Sequence, residues 1–177
     1  QTTLLHSQEF HTSFWGHLGL LHLGEHQLLP DFVAYRHTAM ASPYPHNGVI
    51  ADLAHEQGGL VGYVHPYDLP IVPEKEKTLS HALPADALNG KVDYIEVVGF
   101  ADHKATAEVW YRLLNLGFHL PTGAGTDAMA NYASLRGPVG MNRVFLETGG
   151  RRDLATLKDA LRQGRGFASN GPLLGLE

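Results

Sequence analysis

Cysteine is absent from the chain, so neither a disulfide framework nor a thiolate metal site is available. No stretch approaches the roughly 18 consecutive apolar residues that a membrane span requires. Runs of like charge are missing as well. Lys and Arg are scattered apart from the Arg151-Arg152 pair, and the net charge is −5 with His neutral, which argues against a basic stripe for nucleic acid. Three catalytic signatures are also lacking: the Walker pattern Gly-x4-Gly-Lys-Ser/Thr, Gly-x-Gly-x-x-Gly, and the Gly-x-Ser-x-Gly nucleophile elbow. Phosphate-loop chemistry and covalent Ser or Cys catalysis therefore have no support. A cysteine-free chain suits a reducing or an oxidising compartment equally, and localisation stays open.

What is present points to one packed domain with an unusual side-chain inventory. The 177 residues are 44% hydrophobic, enough for a single core over 1–177. Twelve histidines are the anomaly, and that enrichment fits metal binding better than packing. Nothing in the composition opposes a homo-oligomer. The chain opens at Gln1 rather than Met, and it is read as a domain trimmed at its N-terminus.

Strand, loop and helix signals alternate along the chain. Strands are expected over residues 4–10, 16–23, 60–64, 92–98, 120–125 and 139–147. Asn47 is expected to cap a helix over 48–57 that stops at Gly58-Gly59. Asp102 is expected to cap one over 103–116, with Ala105, Val109, Trp110, Leu113 and Leu114 inward. Asp153 is expected to cap a last helix, with Leu154, Leu157 and Leu161 inward and Gly164 as its stop. Such alternation predicts a parallel α/β sheet or barrel, although only four or five β/α units are visible against eight in a full barrel of roughly 250 residues. The proline-rich stretches 24–46 and 66–91 read as long loops of the kind that form lids.

Acidic and imidazole side chains fall where the predicted strands meet loops. Glu9 closes the first strand and His17 follows it. His65 closes Gly-Tyr-Val-His-Pro, and Asp127 closes Gly-Ala-Gly-Thr-Asp. The carboxyl ends of parallel strands face a common crevice, so residues distant in sequence converge there. Neutral imidazoles with carboxylates are the ligand set of a hydrolytic Zn, Mn or Fe site. Strict alternation puts His6 and Glu9 on opposite faces, which favours Glu9 with His11 or His17. Pro66 is expected to hold His65 in extended geometry. The glycines before Asp127 suit a chain passing close to an ion. Asp68 and His103 are further candidates beside the site, and Arg136, Asn142 and Arg143 are candidates for holding a polar or anionic small-molecule substrate. His55 reads as structural.

The ordered set Glu9, His17, His65-Pro66 and Asp127 resembles the PHP (polymerase and histidinol phosphatase) family, in wording closest to its carbaryl-hydrolase branch. The phrases that carry the resemblance are Gln8-Glu9-Phe10, Trp15-Gly16-His17, Gly62-Tyr63-Val64-His65-Pro66, Gly123-Ala124-Gly125-Thr126-Asp127-Ala128 and Gly166-Phe167-Ala168-Ser169-Asn170-Gly171-Pro172. The resemblance implies a distorted (β/α)7, TIM-like barrel, here partial, with two or three divalent metal ions at the carboxyl ends of its strands. It implies that Glu9 bridges two ions, that His17 and His65 serve the second, and that Asp127 ligates the first and orients the attacking water. Two departures stand out. The family's opening His-x-His has no counterpart before Glu9, which implies a preceding segment that completes the metal set and leaves open whether this chain is active alone. The family's Asp-x-His reads Asp127-Ala128-Met129, and a thioether is a poor ligand for a hard hydrolytic ion.

The function this predicts is metal-dependent hydrolysis of an ester, carbamate or amide bond. Phosphoester hydrolysis is the alternative within enzymes, and a non-catalytic, degenerate barrel is the alternative outside them.

Overall fold

The computed structural model describes residues 6–12, 14–28, 43–67, 82–100, 102–129, 131, 135–173 and 175. In chain order the elements are β1 (Ser7–Thr12), β2 (Gly16–Leu21), α1 (Asn47–Glu56), β3 (Leu60–Tyr63), α2 (Leu83–Leu88), β4 (Tyr94–Val98), α3 (His103–Asn115), β5 (Thr122–Ala124), β6 (Arg143–Leu146), α4 (Leu154–Arg162) and β7 (Gly166–Ser169). The first five strands form one sheet in sequence order, and β6 pairs with β7 in a separate antiparallel ribbon.

The sheet is mixed. β3, β4 and β5 run parallel, as the alternating pattern predicts, but β1 to β2 and β2 to β3 are antiparallel. The reason is local: only residues 13–15 separate β1 from β2, too few for the crossover that a parallel pair needs. Among the described residues the strands do not close a barrel.

Strand register sorts the side chains onto two faces. Phe10, Leu18, Tyr63 and Ile95 form one row across β1–β4. These residues pack in one buried cluster with Ile50, Ala51 and Ala54 of α1, Leu83 of α2, and Ala105, Val109 and Leu113 of α3. Each aliphatic side chain fully buried there contributes about 1.5–3 kcal/mol. The neighbouring row, on the opposite face, reads Glu9, Gly19, Gly62 and Tyr94. Tyr94 lies over the glycines and donates its hydroxyl to Gly19 O at 3.0 Å. A Cβ on Gly62 would overlap the Tyr94 ring, so this close approach requires glycine. Leu60, Tyr94 and Leu161 of α4 form a second cluster on that face, joined by Val144 and Leu146 of β6.

Helix ends follow the sequence signals in two cases of three. Asp102 accepts hydrogen bonds from Lys104 N and Ala105 N, and Asp153 accepts one from Thr156 N. Asn47 does not cap α1. It is the first helical residue, and its side chain is fully buried in a polar network. The packing faces are narrower than expected, because Trp110 and Leu114 are half-buried and Leu154 is exposed. α2 lies inside the stretch 66–91 that reads as loop, and β7 occupies the Gly166–Ser169 segment, for which no strand is expected. No helix among the described residues is long and apolar enough to cross a membrane.

Candidate metal centre

β1 alternates strictly: Gln8, Phe10 and Thr12 are buried, while Glu9 and His11 point to the other face and stay half-exposed. The antiparallel pairing sets His11 opposite His17 and Glu9 opposite Gly19, so Glu9, His11 and His17 share one face. Glu9 is therefore a mid-strand residue rather than the close of its strand, and His17 lies near the start of β2, inside the strand expected over 16–23. His65 follows β3 by two residues, and its backbone is coupled to β2 because Val64 N donates to His17 O at 3.2 Å.

One carboxylate oxygen collects the imidazoles. Glu9 Oε1 lies 3.0 Å from His65 Nε2, 3.2 Å from His17 Nδ1 and 3.6 Å from His11 Nε2. The ring centroids of His17 and His65 are 5.1 Å apart, and those of His11 and His17 are 4.5 Å apart. The donor atoms of Glu9, His17 and His65 all lie within 4.8 Å of one another. Tetrahedral ligands about 2.0–2.1 Å from a common zinc ion are about 3.3 Å apart, so this spacing fits a shared cation. His17 Nδ1 gives a second reason. The atom is buried and lies 3.2 Å from Glu9 Oε1 without good hydrogen-bond alignment, an arrangement that a cation held between the two would satisfy. The donor set and this orphaned nitrogen both fit a divalent ion.

Electrostatics tighten the cluster. Burial acts to raise the Glu9 carboxyl, but the nearby ring nitrogens of His17 and His65 and the charge on His11 and His65 outweigh it. Glu9 is held well below the usual carboxylate range. Burial acts to lower His65, and the hydrogen bond and charge of Glu9, with the charges of Glu96 and Asp127, raise it overall.

Glu96 is the residue that sequence reasoning missed. It sits in mid-β4, buried, on the same face as Tyr94 and next to Gly123 of β5. Its Oε2 accepts the His65 N–H at 2.6 Å, and a Cβ on Gly125 would overlap its Oε1. Burial, opposed by the His65 bond and charge and assisted by Glu9 and Asp127, pushes its carboxyl up to about 7. The available signal was a carboxylate within an otherwise aliphatic run, Tyr-Ile-Glu-Val-Val, in a strand buried on both faces.

Glu96 also explains a departure at His65. Pro66 should favour extended backbone there, yet His65 has φ +32°, in the left-handed region. The bond that His65 N–H donates to Glu96 and the burial of Pro66 hold it. Asp127 has φ +52°, so two strained non-glycine residues follow β3 and β5 at the same end of the parallel strands. Strain of this kind persists where surrounding contacts over-determine the backbone, and it clusters at functional sites.

The remaining candidates divide. Asp127 is near enough to act on His65 and Glu96 electrostatically but is not among the three converging ligands. Its Oδ2 pairs with Arg136 Nη1 at 2.6 Å. Arg136 also lies over the Phe100 ring at 4.4 Å. Asn142 braces the Asp127 loop, with its Nδ2 donating to Gly125 O at 2.7 Å and its N to Thr126 Oγ1 at 3.1 Å. Arg143 donates to Gly171 O at 3.1 Å. His103 is exposed in the first turn of α3, and His6 is exposed before β1. His55 bonds Asp93 at 2.8 Å, a structural role as expected. Asp68 lies outside the described residues.

A cleft of ≈ 350 Å³ opens beside the cluster, bordered by Glu9, Glu96, Val64, Tyr94, Val144 and Leu161. A larger one of ≈ 500 Å³ between α3 and β7 touches none of the converging ligands, so chemistry rather than size picks the first. Comparison with known proteins adds no relative: no family model, curated protein or solved structure matches the chain.

Proposed function

We propose that Glu9, His17 and His65 hold a divalent metal ion, Zn, Mn or Fe, in a hydrolase of the PHP kind that acts on an ester, carbamate or amide bond. The single observation that carries this reading is Glu9 Oε1 within 3.2 Å of two imidazole nitrogens from separate segments, one of them buried without a hydrogen bond. When bound, such an ion supplies an acidified water and polarises the scissile carbonyl.

The chain's own residues supply the rest. Glu9, depressed and anionic, keeps a negative charge on the cation site across the physiological range, and His11 stands 3.6 Å away as a further donor. Glu96, buried at the border of the cleft and bonded to the His65 backbone, is placed to exchange a proton there. Asp127, fixed by Arg136, adds negative charge at the same end of the sheet. The aliphatic border of Val64, Val144 and Leu161 suits an uncharged substrate. In the fuller form of this proposal, the mixed sheet is the open part of a distorted barrel.

The carbonyl reading is preferred to the phosphoester one because both arginines considered for phosphate are engaged, Arg136 with Asp127 and Arg143 with Gly171 O. Binding without turnover is the second reading, favoured by the commitment of Asp127 to Arg136. Assaying an aryl ester and an aryl phosphate at fixed Zn or Mn separates the three. Ester turnover that falls at least 100-fold in Glu9→Gln supports the proposal. Turnover of phosphate alone replaces it with the phosphoesterase, and no turnover by a metal-loaded chain leaves binding only.

A further inference from the structure

The helix-covered face of the sheet carries a buried polar network directly behind the cluster. Thr12 Oγ1 lies 2.7 Å from both Asn47 Oδ1 and Gly16 O, and its single proton serves one of them. Asn47 Nδ2 is shared among Tyr63 OH at 2.9 Å, Gly16 O at 3.0 Å and Trp15 O at 3.2 Å. Tyr63 OH in turn donates to Asp86 Oδ2 at 2.6 Å. Asn47 and Tyr63 are completely buried, and Thr12 and Asp86 nearly so.

The path of this network is specific. Trp15 and Gly16 are the two residues before His17, and Tyr63 is two residues before His65. Trp15 O also accepts from Ala82 N at 3.0 Å, just before α2. A single amide on α1 thus grips the backbone that delivers one imidazole and the strand that delivers the other, while α2 anchors the second through Asp86 and the residue before it, Ala82, anchors the first through its N–H. Burying an amide, a phenol and a carboxylate costs several kcal/mol unless each is paired, and an apolar core would have packed the same space more cheaply.

We infer that the Thr12–Asn47–Tyr63–Asp86 network positions His17 and His65 for the cation, with Asn47 and Tyr63 as positioning residues that never touch the ion. The inference rests on the metal reading above. Outer partners of this kind set ligand orientation, and their loss typically weakens metal binding about 10–100-fold.

The test titrates the intact chain with Zn²⁺ against a chromogenic chelator and records the visible spectrum of the Co²⁺-loaded form. Tyr63→Phe removes one oxygen and little volume, so it carries the test even where Asn47→Ala does not fold. Thr12→Ser keeps the hydroxyl that Thr12→Val removes. The expected result is a cooperatively folded Tyr63→Phe with Zn²⁺ affinity about 10–100-fold weaker and a changed Co²⁺ spectrum, with Thr12→Ser close to the parent and Thr12→Val weakened. Lower thermal stability with unchanged affinity and spectrum would show a merely structural network and overturn the inference alone. A parent chain that takes up neither ion overturns the metal reading and this inference with it.

Discussion

Glu9 is both the collecting point of the cluster and its electrostatic centre, and its neighbours at single-atom range determine what a substitution does. Glu96→Gln is the most informative change beside it. The Glu96 carboxyl titrates near 7 in the fold and near 4.5 in an unfolded chain. Between those values the folded state keeps a proton that the unfolded state has released, so metal-free stability falls as pH rises from about 4.5 to 7. Glu96→Gln, which still accepts the His65 N–H, removes this contribution. Relative to the parent it gains up to about 3 kcal/mol between pH 5 and 8, measured by urea unfolding at each pH. A constant difference between the two proteins would refute the burial of the charge. Gly125→Ala tests the same contact from the other side. Its Cβ must displace Glu96 Oε1, at a cost of about 1–3 kcal/mol, and equal stability in thermal unfolding would contradict the close approach. His65 and His17 were legible because an imidazole at a strand boundary has few structural uses. Glu96 was not, because within an aliphatic run a lone carboxylate reads as the polar face of a half-buried strand. The positive φ of His65 was equally hidden, since the rule for residues before proline points the other way.

At the scale of elements, the helices with strong caps are legible in the sequence. Asp102 and Asp153 cap α3 and α4 as their patterns predict. Asp102→Ala is expected to cost about 1 kcal/mol in chemical denaturation without altering metal uptake, since it lies outside the cluster. An unchanged midpoint would show that α3 is held by packing alone. α2 escaped notice because six residues, Leu-Pro-Ala-Asp-Ala-Leu, are too short for periodicity to register and follow a proline-rich stretch. Asn47 misled for a physical reason. An Asn before an apolar periodic run has the composition of a cap, but capping and burial compete for the same amide, and the buried network took it. The β1–β2 hairpin is hidden in the sequence because Ser13-Phe14-Trp15 lacks the Asn-Gly or Asp-Gly pair that marks a tight turn. Its register nonetheless sets Glu9, His11 and His17 on one face, the choice that alternation favoured over His6.

For the whole molecule, the order of β1 to β6 with α1, α3 and α4 is legible, α2 and β7 are not, and the direction of pairing is only partly so. Parallel β3–β4–β5 follows from the helices between them, while the antiparallel start depends on a connection too short to cross over. Asp93 shows how these parts are fastened: it bonds His55 of α1, Val61 N of β3 at 2.8 Å and Arg162 of α4. Burial acts to raise its carboxyl, and these bonds hold it below its ordinary value of 3.8. Its stabilisation is therefore present above that value and is lost as pH falls through the lower, folded one. Asp93→Asn should destabilise the protein at neutral pH by about 1–3 kcal/mol and lose less than the parent on acidification. A pH-independent difference would contradict the assignment.

The central claim concerns the cation, and elemental analysis of the purified intact chain, after loading and desalting, tests it most directly. The account predicts at least one Zn, Mn or Fe per chain, lost in both Glu9→Gln and His65→Ala while the folded structure persists. A loaded chain without metal, or one whose metal survives both substitutions, would contradict it.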